Sequence, residues 1–315
     1  MPYVLVSQAS RAELDAVADA RWTAIVAERP ELDSAVGLQR QLIERVIALR
    51  ATLDASRLPR LSLPGRYIAA KLARGVPALA GEPIPFPVAI LTETLLGLCG
   101  DLAAGGAGEA AEHIHTQVEN GGLDAGSLLA ASLSRNQDAI RTGAVHRGLA
   151  SDLVWLVAEL AVGPFAYVLQ RTLFAPAGDG PGASAAGPVA TALDGWNQGY
   201  CPACGSWPAM AEVVEGHRVL RCSFCAAAWE LTTYACVYCG EDGEPFVTAA
   251  PDEERKDRRV EVCGSCRGYL KTVDTLALSP FPLLSIGDLE TMDLDMAAME
   301  HGYQRPPLKD FATKR

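Results

Sequence analysis

The sequence predicts an α+β multidomain protein, in which an all-α N-terminal domain precedes two small β-rich modules and a short C-terminal helix. Three observations support this prediction. Apolar residues recur at helical spacing over the first 174 residues. A segment of Ala, Gly, Pro and Ser interrupts that pattern at residues 175–188. Eight of the nine cysteines then follow between residues 201 and 266, where short β-branched runs replace the helical pattern.

The helical pattern begins close to the N-terminus. Ser10 and Glu13 fit a capping box, in which each side chain satisfies a free backbone amide of the other. Apolar residues follow every three or four positions, and further helical patterns cover roughly residues 88–104, 108–119, 124–133 and 136–174. Residues 75–87 contain four prolines, so we expect this stretch to run extended across the surface.

These patterns divide the chain into five parts. We predict a helical domain at 1–174, a linker at 175–195, a first ribbon at 196–232, a second ribbon at 233–278, and a C-terminal helix with a tail at 279–315. In the last part, an apolar stripe is expected to pack against the ribbons, with a partner-binding face as the alternative. Gly302 lies where the helix should stop. The stripe consists of Leu289, Met292, Met296 and Met299.

The cysteines form four Cys-x-x-Cys pairs, separated by 17, 10 and 23 residues. Such a turn directs two thiolates at one point, and two turns supply the four sulfurs of a tetrahedral metal site. The sequence therefore predicts two metal sites in rubredoxin-like or zinc-ribbon modules, with eight ligands: Cys201, Cys204, Cys222, Cys225, Cys236, Cys239, Cys263 and Cys266.

We prefer sequential pairing of the turns, first with second and third with fourth, because each pair then spans one hairpin. The residues around Glu215-Gly216 predict the first of these hairpins. A crossed arrangement remains an alternative. Both Zn²⁺ and a single iron suit four thiolates, although the CPACG turn has the proline and glycine of a rubredoxin knuckle.

Composition limits the location and the partners of the protein. The first residues lack the pattern of a secretory signal, so we expect a cytoplasmic protein in which paired cysteines bind metal. The most apolar stretch, residues 153–169, contains Glu159 and Pro164 and predicts a buried helix rather than a membrane span. The net charge is -11, and residues 201–275 hold 12 acidic against 8 basic residues, which disfavours nucleic acid as a partner.

Catalytic motifs are not apparent in the sequence. We find no serine nucleophile motif and no phosphate-binding glycine loop, so an enzyme is not expected. Cys99 has no cysteine or histidine near it in sequence and is interpreted as a small buried apolar residue. Trp207 and Trp229 follow the cysteine turns closely and are expected to cover the metal sites from water.

The segments around the cysteines resemble those of the formate dehydrogenase accessory protein family, FdhE. The matching segments are Trp196 with YCPACGSWP, then VLRCSFCAAAWEL, ACVYC, CGSCRGYLKTVD, and the tail DLETMDLDMAAMEHGYQRPPLKDF. The tail lies outside the metal motifs, so common ribbon chemistry does not account for the likeness. Lys309-Asp310-Phe311 stands where the family is expected to have Asn-Pro-Phe.

This resemblance implies a chaperone-like factor that matures formate dehydrogenase by docking on its catalytic subunit and does not itself oxidise formate. It also implies that the eight cysteines are the ligands of two metal ions, with iron favoured and zinc still open. Two alternatives remain, a rubredoxin-type electron carrier and a zinc-ribbon protein associated with nucleic acid. The oligomeric state, including a homodimer, is left open.

Overall fold

The computed structural model describes residues 3–56, 58, 61, 63–174, 187–250, 255–309 and 311. Its helices are α1 (Arg11–Glu28), α2 (Asp33–Ala55), α3 (Gly65–Ala73), α4 (Val88–Leu102), α5 (Gly108–Glu119), α6 (Ala125–Leu133), α7 (Gln137–Val145), α8 (Ser151–Phe174), α9 (Pro188–Asp194), α10 (Leu284–Glu290) and α11 (Met292–Glu300). Its strands are β1 (Tyr3–Val4), β2 (Pro208–Val214), β3 (His217–Cys222), β4 (Ala228–Glu230), β5 (Phe246–Ala249), β6 (Arg258–Cys263) and β7 (Tyr269–Asp274). The predicted α+β class is confirmed.

The ends of the helices follow local sequence signals. The predicted capping box at α1 is confirmed, since the Ser10 amide donates to the Glu13 carboxylate at 2.7 Å and the Glu13 amide donates to Ser10 Oγ at 3.3 Å. The single pattern predicted over residues 136–174 is wrong, because α7 and α8 are separate helices. Gly148 lies between them at φ +67°, a left-handed conformation that an α-helix cannot continue.

The chain forms two compact units. One consists of residues 15–62 and 81–171 and is helical. Its core contains residues that are fully buried on α4, α5 and α6, namely Leu91, Leu95, Leu98, Ile114 and Leu129. Apolar residues at intervals of three and four on α4 form this buried face, as the periodicity predicts. In the same unit α2 and α4 are joined by an ion pair between Arg45 and Asp101.

The other unit contains the cysteines and is built on one sheet. Its strands run in the order β1-β4-β3-β2-β7-β6-β5, and every neighbouring pair is antiparallel except β2 and β7. The hairpin predicted at Glu215-Gly216 is confirmed as β2–β3, with both residues at positive φ. The parallel pairing of β2 with β7 joins the strands of the first predicted ribbon to those of the second.

This unit also takes in residues from the N-terminal part of the chain. It includes residues 1–14 and 63–80 together with 172–314. β1 pairs with β4, placing Tyr3 opposite Trp229, and Gly65 of α3 faces Val189 of α9. The contacts therefore cross the predicted boundary at residue 174. The division into five domains itself stays a prediction.

Two further expectations about connecting segments differ from the structure. Residues 175–186 of the predicted linker lie outside the described residues, but its remaining part holds α9, which begins with a proline at its first turn. The stretch 75–87 is not wholly on the surface, because Ala78 and Leu79 are buried. Their backbone amides donate to the carbonyls of Pro202 and Ala203. These hydrogen bonds to the first cysteine turn replace the ones that the amides would otherwise make to water.

The C-terminal segment forms two short helices rather than one. α10 ends at Glu290 and α11 begins at Met292, with Thr291 between them in a non-helical conformation. The predicted packing stripe is wrong in part, because Met296 and Met299 are exposed and Leu294 and Ala298 are buried instead. Because the helix breaks at Thr291, the residues that face the protein in α11 do not continue the face of α10. A periodicity that assumes one continuous helix could not predict this change.

Ion pairs join these helices to the sheet. Lys271 on β7 is fully buried, and its Nζ contacts both Asp288 and Asp295 at 2.6 Å. Arg305 contacts the same two carboxylates at 3.4 and 3.1 Å. Burial tends to raise the pKa of the Asp288 carboxyl, but Lys271 and Arg305 outweigh that effect and hold its pKa below the usual value.

Two helical stretches have the length and hydropathy of a membrane span, namely Val88–Glu119 and Ser151–Phe174. The first is interrupted at Gly106, where φ is +115°. In the second, 67% of the apolar window is buried inside the protein, compared with 28% in the first. The absence of a membrane span therefore stays a prediction.

A buried ion pair across β2 and β3 gives a test of this fold. The side chain of Arg221 is fully buried and pairs with Glu212, whose carboxylate also accepts the Ser279 amide at 3.0 Å. Arg221→Met would leave the Glu212 carboxylate buried without its cation, so we expect a loss of about 3–5 kcal/mol in the free energy of unfolding. Urea unfolding measures this loss.

The control is Arg259→Met, which removes the partly exposed pair of Arg259 with Asp274 on the same sheet. We expect this variant to lose at most about 1 kcal/mol, because water screens an exposed pair. Equal losses in the two variants would show that Arg221 is not buried as described.

Candidate metal centres

All four Cys-x-x-Cys turns have the same backbone geometry. In each turn the amide of the first cysteine donates to the carbonyl five residues later, at 2.8–2.9 Å. The residue directly after the second cysteine is left-handed, with φ between +52° and +82°. These four residues are Gly205, Ala226, Gly240 and Arg267. The turn thus closes on itself and directs both cysteine side chains to one side, as a metal-binding knuckle requires.

The first cluster combines the first two turns. The Sγ atoms of Cys201 and Cys225 are 3.6 Å apart, and those of Cys204 and Cys222 are 3.5 Å apart. All four sulfurs lie within 4.8 Å of one another, and all four cysteines are buried. Backbone amides also point at the sulfurs, since Phe224 and Cys225 each donate to Cys222 Sγ at 3.4 Å.

The second cluster combines the last two turns. Cys236 Sγ lies 3.7 Å from Cys266 Sγ, and Cys239 Sγ lies 3.6 Å from Cys263 Sγ. This cluster is more open than the first, because Cys239 is exposed and Cys266 is partly exposed. The structure thus brings together all eight predicted cysteines, in the sequential rather than the crossed grouping.

The sulfur separations fit a tetrahedral metal ion. A tetrahedron with metal–sulfur bonds of about 2.3 Å has sulfur–sulfur edges of about 3.8 Å. The closest separations in the two clusters, 3.5–3.7 Å, are close to that value. They are far longer than the sulfur–sulfur bond of a disulfide, which is about 2.05 Å. The residues present therefore suit one ion at each cluster.

Burial affects the protonation of the thiols. It raises the pKa of Cys201 and of Cys225 well above the usual value, and it raises the pKa of Cys266 to about 11. Burial tends to raise the pKa of Cys263, but hydrogen bonds from the Cys266 amide, the Cys239 thiol and the Ser265 amide outweigh that effect and hold its pKa below the usual value. A divalent cation would stabilise the thiolates and release their protons.

Trp207 and Trp229, which the sequence predicts to cover the metal sites, are both buried. Trp229 Nε1 donates to the carbonyl of Gln198 at 3.0 Å. Trp207 Nε1 donates to the carbonyl of Pro307 at 2.9 Å, so the C-terminal tail reaches the first turn. Each buried indole therefore satisfies its only donor.

Residues beside the first cysteine turn contact residues of the third turn. Trp207, beside the first turn, packs edge-to-face on Tyr238 within the third turn, with ring centroids 5.1 Å apart. Gly199 lies against the backbone of Val237, so that a Cβ at position 199 would be only 1.7 Å from the Val237 carbonyl oxygen. Only glycine allows this approach, and the two turns are consequently held together by backbone contact.

Several residues of the site were not predicted from the sequence. Ala226 and Arg267 adopt the left-handed conformation without being glycine, although their position after the second cysteine matches that of Gly205 and Gly240. Phe311 in the tail packs on Tyr200 beside the first turn, with ring centroids 5.0 Å apart. Cys99 lies in neither cluster; it is buried as predicted, which raises its pKa to about 11.

No protein-family model matches the chain. Among curated proteins, it is 30% identical to an FdhE homologue of Aquifex aeolicus over 113 residues, which are 34% of this chain and 40% of the relative. It is 35% identical to an FdhE homologue of Pseudomonas aeruginosa over 122 residues, 33% of this chain and 37% of the relative. FdhE of Escherichia coli is 30% identical over 116 residues, 36% of this chain and 37% of the relative. The matched segment thus spans about two fifths of these relatives.

The fold can also be compared with a solved structure. The crystal structure of the FdhE protein from Pseudomonas aeruginosa matches 98% of this chain and 97% of its own length, with a TM-score of 0.59 and 22% identity. At this identity the match establishes a common fold. The predicted resemblance to the FdhE family is therefore confirmed, in sequence over about a third of the chain and in fold over nearly all of it.

Proposed function

We propose that this chain is an accessory factor in the formation of formate dehydrogenase and that it docks on the catalytic subunit of that enzyme. The observation that carries the proposal is the identity of 30–35% to proteins named FdhE over about a third of the chain. The shared fold supports it over the remaining length. We place the protein in the cytoplasm, where reduced cysteines are available to metal ions.

The proposed factor contains two metal ions, one at each cysteine cluster. Cys201, Cys204, Cys222 and Cys225 would hold the first ion, and Cys236, Cys239, Cys263 and Cys266 would hold the second. Iron is the favoured ion because of the family resemblance, and zinc suits the same four thiolates. When bound, either ion cross-links two turns of the chain, and iron also supplies a one-electron couple.

The proposed role is not enzymatic. The side chains that the fold brings together at these clusters are thiols, which suit metal ligation. The thiol of Cys99, which lies outside both clusters, is buried with a pKa of about 11 and is a poor nucleophile at neutral pH. A second candidate function, electron transfer, is favoured by the exposure of Cys239, because an exposed ligand brings a metal centre close to a redox partner.

Ligand substitution tests the metal sites. We expect each of four variants, Cys201→Ser, Cys222→Ser, Cys236→Ser and Cys263→Ser, to lose about one of the two ions, because a tetrahedral site needs all four thiolates. Elemental analysis of anaerobically purified protein measures the loss. Cys99→Ser is the matched control and should keep both ions. If all four cluster variants keep two ions, the ligand assignment is wrong.

The spectrum of the same preparations separates the two candidate functions. An electron carrier requires iron in the sites, with a visible absorption that disappears on reduction and returns on reoxidation. A zinc-containing protein would show neither property, and it would leave the maturation role as the remaining candidate. The same elemental analysis identifies the ion.

Removal of the gene tests the biological role. We expect a strain without this chain to lose most of its formate dehydrogenase activity, and a plasmid copy of the gene to restore it. A copy with Cys236→Ser and Cys263→Ser should fail to restore activity, whereas Leu276→Ala, at a fully exposed position, should restore it. Undiminished activity in the deletion strain would count against the maturation role.

A further inference from the structure

The two clusters differ in their access to solvent. In the first cluster the four cysteines are at most 3% exposed. In the second, Cys263 is fully buried and Cys236 nearly so, but Cys239 is exposed and Cys266 is partly exposed. Because the two clusters have the same ligands and the same turn geometry, the difference comes from what lies around them.

Two segments that are distant in sequence cover the first turn of the first cluster. On one side, the amides of Ala78 and Leu79 donate to the carbonyls of Pro202 and Ala203 at 2.8 and 2.9 Å. These carbonyls belong to the two residues between the cysteines of that turn. The covering segment is therefore fixed to the turn by its backbone.

The C-terminal tail covers another part of the same turn. The carbonyl of Pro307 accepts Trp207 Nε1 at 2.9 Å, and Phe311 packs on Tyr200. Lys309 Nζ lies 4.6 Å from the centroid of the Tyr200 ring and 5.5 Å from that of Trp207. We refer to residues 307–311 as the tail cover, of which all but Asp310 are described.

A pair of equivalent glycines shows the difference directly. Gly205 and Gly240 each follow the second cysteine of a turn, and both have φ +82°. A Cβ at Gly205 would lie 2.4 Å from the Phe311 ring and 3.1 Å from Pro77. Among the described residues, a Cβ at Gly240 would have no heavy atom within 4 Å apart from those of Gly240 and its two chain neighbours. The same turn is thus enclosed in the first cluster and open in the second.

We propose that the second cluster is the exchange site of the protein, at which a thiophilic divalent cation enters and leaves and at which the thiols react with electrophiles. The first cluster holds its ion in a closed site. Residues 77–79, on one side of the first turn, and the tail cover block the approach of a competing ligand. This inference rests on the proposed ligation of one ion at each cluster. It follows from the requirement that an incoming ligand or electrophile reach the metal or its sulfur ligands.

Metal release from the full-length protein tests the inference. Protein loaded with two Zn²⁺ ions per chain is mixed with a chromophoric zinc chelator, and samples taken over time are treated with iodoacetamide. In that reaction a cysteine thiolate forms a bond from sulfur to carbon and the carbon–iodine bond breaks, releasing iodide. Mass spectrometry of the peptides then shows which cysteines react as each ion leaves.

We expect two phases of equal amplitude, with the fast phase about tenfold or more faster than the slow one, because release from the buried site requires local opening. Cysteines of the second cluster should be alkylated in the fast phase and those of the first cluster in the slow phase. A single phase in which all eight react together would overturn the inference, as would earlier reaction of the first cluster. Protein that binds fewer than two Zn²⁺ ions at saturation would instead contradict the proposed ligation.

Variants of the tail cover provide a second test of the inference. Phe311→Ala should accelerate the slow phase and leave the fast phase unchanged, and Phe311→Leu, which keeps most of the apolar volume, should have a smaller effect in the same direction. Leu276→Ala, at a fully exposed position, is the control and should alter neither phase. Equal acceleration of both phases, or a slow phase unaffected by Phe311→Ala, would overturn the role of the tail cover.

Discussion

Each of the two cysteine clusters brings four sulfur atoms together, with nearest separations of 3.5–3.7 Å. The rest of the cysteine-containing unit depends on this constraint. Each turn closes by a hydrogen bond from its first cysteine to the carbonyl five residues later. A left-handed residue then redirects the chain into or away from a strand. A divalent cation would provide the attraction that holds four thiolates at this distance.

The surrounding sheet keeps the two clusters in a fixed relationship. The parallel pairing of β2 with β7 joins strands from the two halves, and the contact of Gly199 with Val237 brings the first and third turns together. Buried charges reinforce the junction, since Glu261 on β6 accepts Arg218 from β3 and Thr272 from β7. Buried Glu261 thus has Arg218 as its counter-ion, as burial of a charge in a low dielectric requires. The strands of the two predicted ribbons therefore belong to one seven-stranded sheet.

Local chemistry made part of this arrangement predictable. The Cys-x-x-Cys spacing identified all eight clustered cysteines and their sequential grouping, and Glu215-Gly216 identified the β2–β3 hairpin. Long-range pairing was not predictable, because no local signal sets the register of β2 against β7 or brings β1 to β4. The left-handed conformation of Ala226 and Arg267 was missed because glycine is the usual signal for it. The burial of Met296 and Met299 was wrongly predicted because Thr291 interrupts the helix, and a different face of the following helix is buried.

The geometry of the sulfur ligands can be measured directly by X-ray absorption at the metal edge of the anaerobically purified protein. We expect a single shell of four sulfur atoms at about 2.3 Å around each ion, without nitrogen or oxygen neighbours at shorter distance. A first shell that contains nitrogen or oxygen ligands, or fewer than four sulfurs on average, would contradict the convergence of the eight cysteines on two ions.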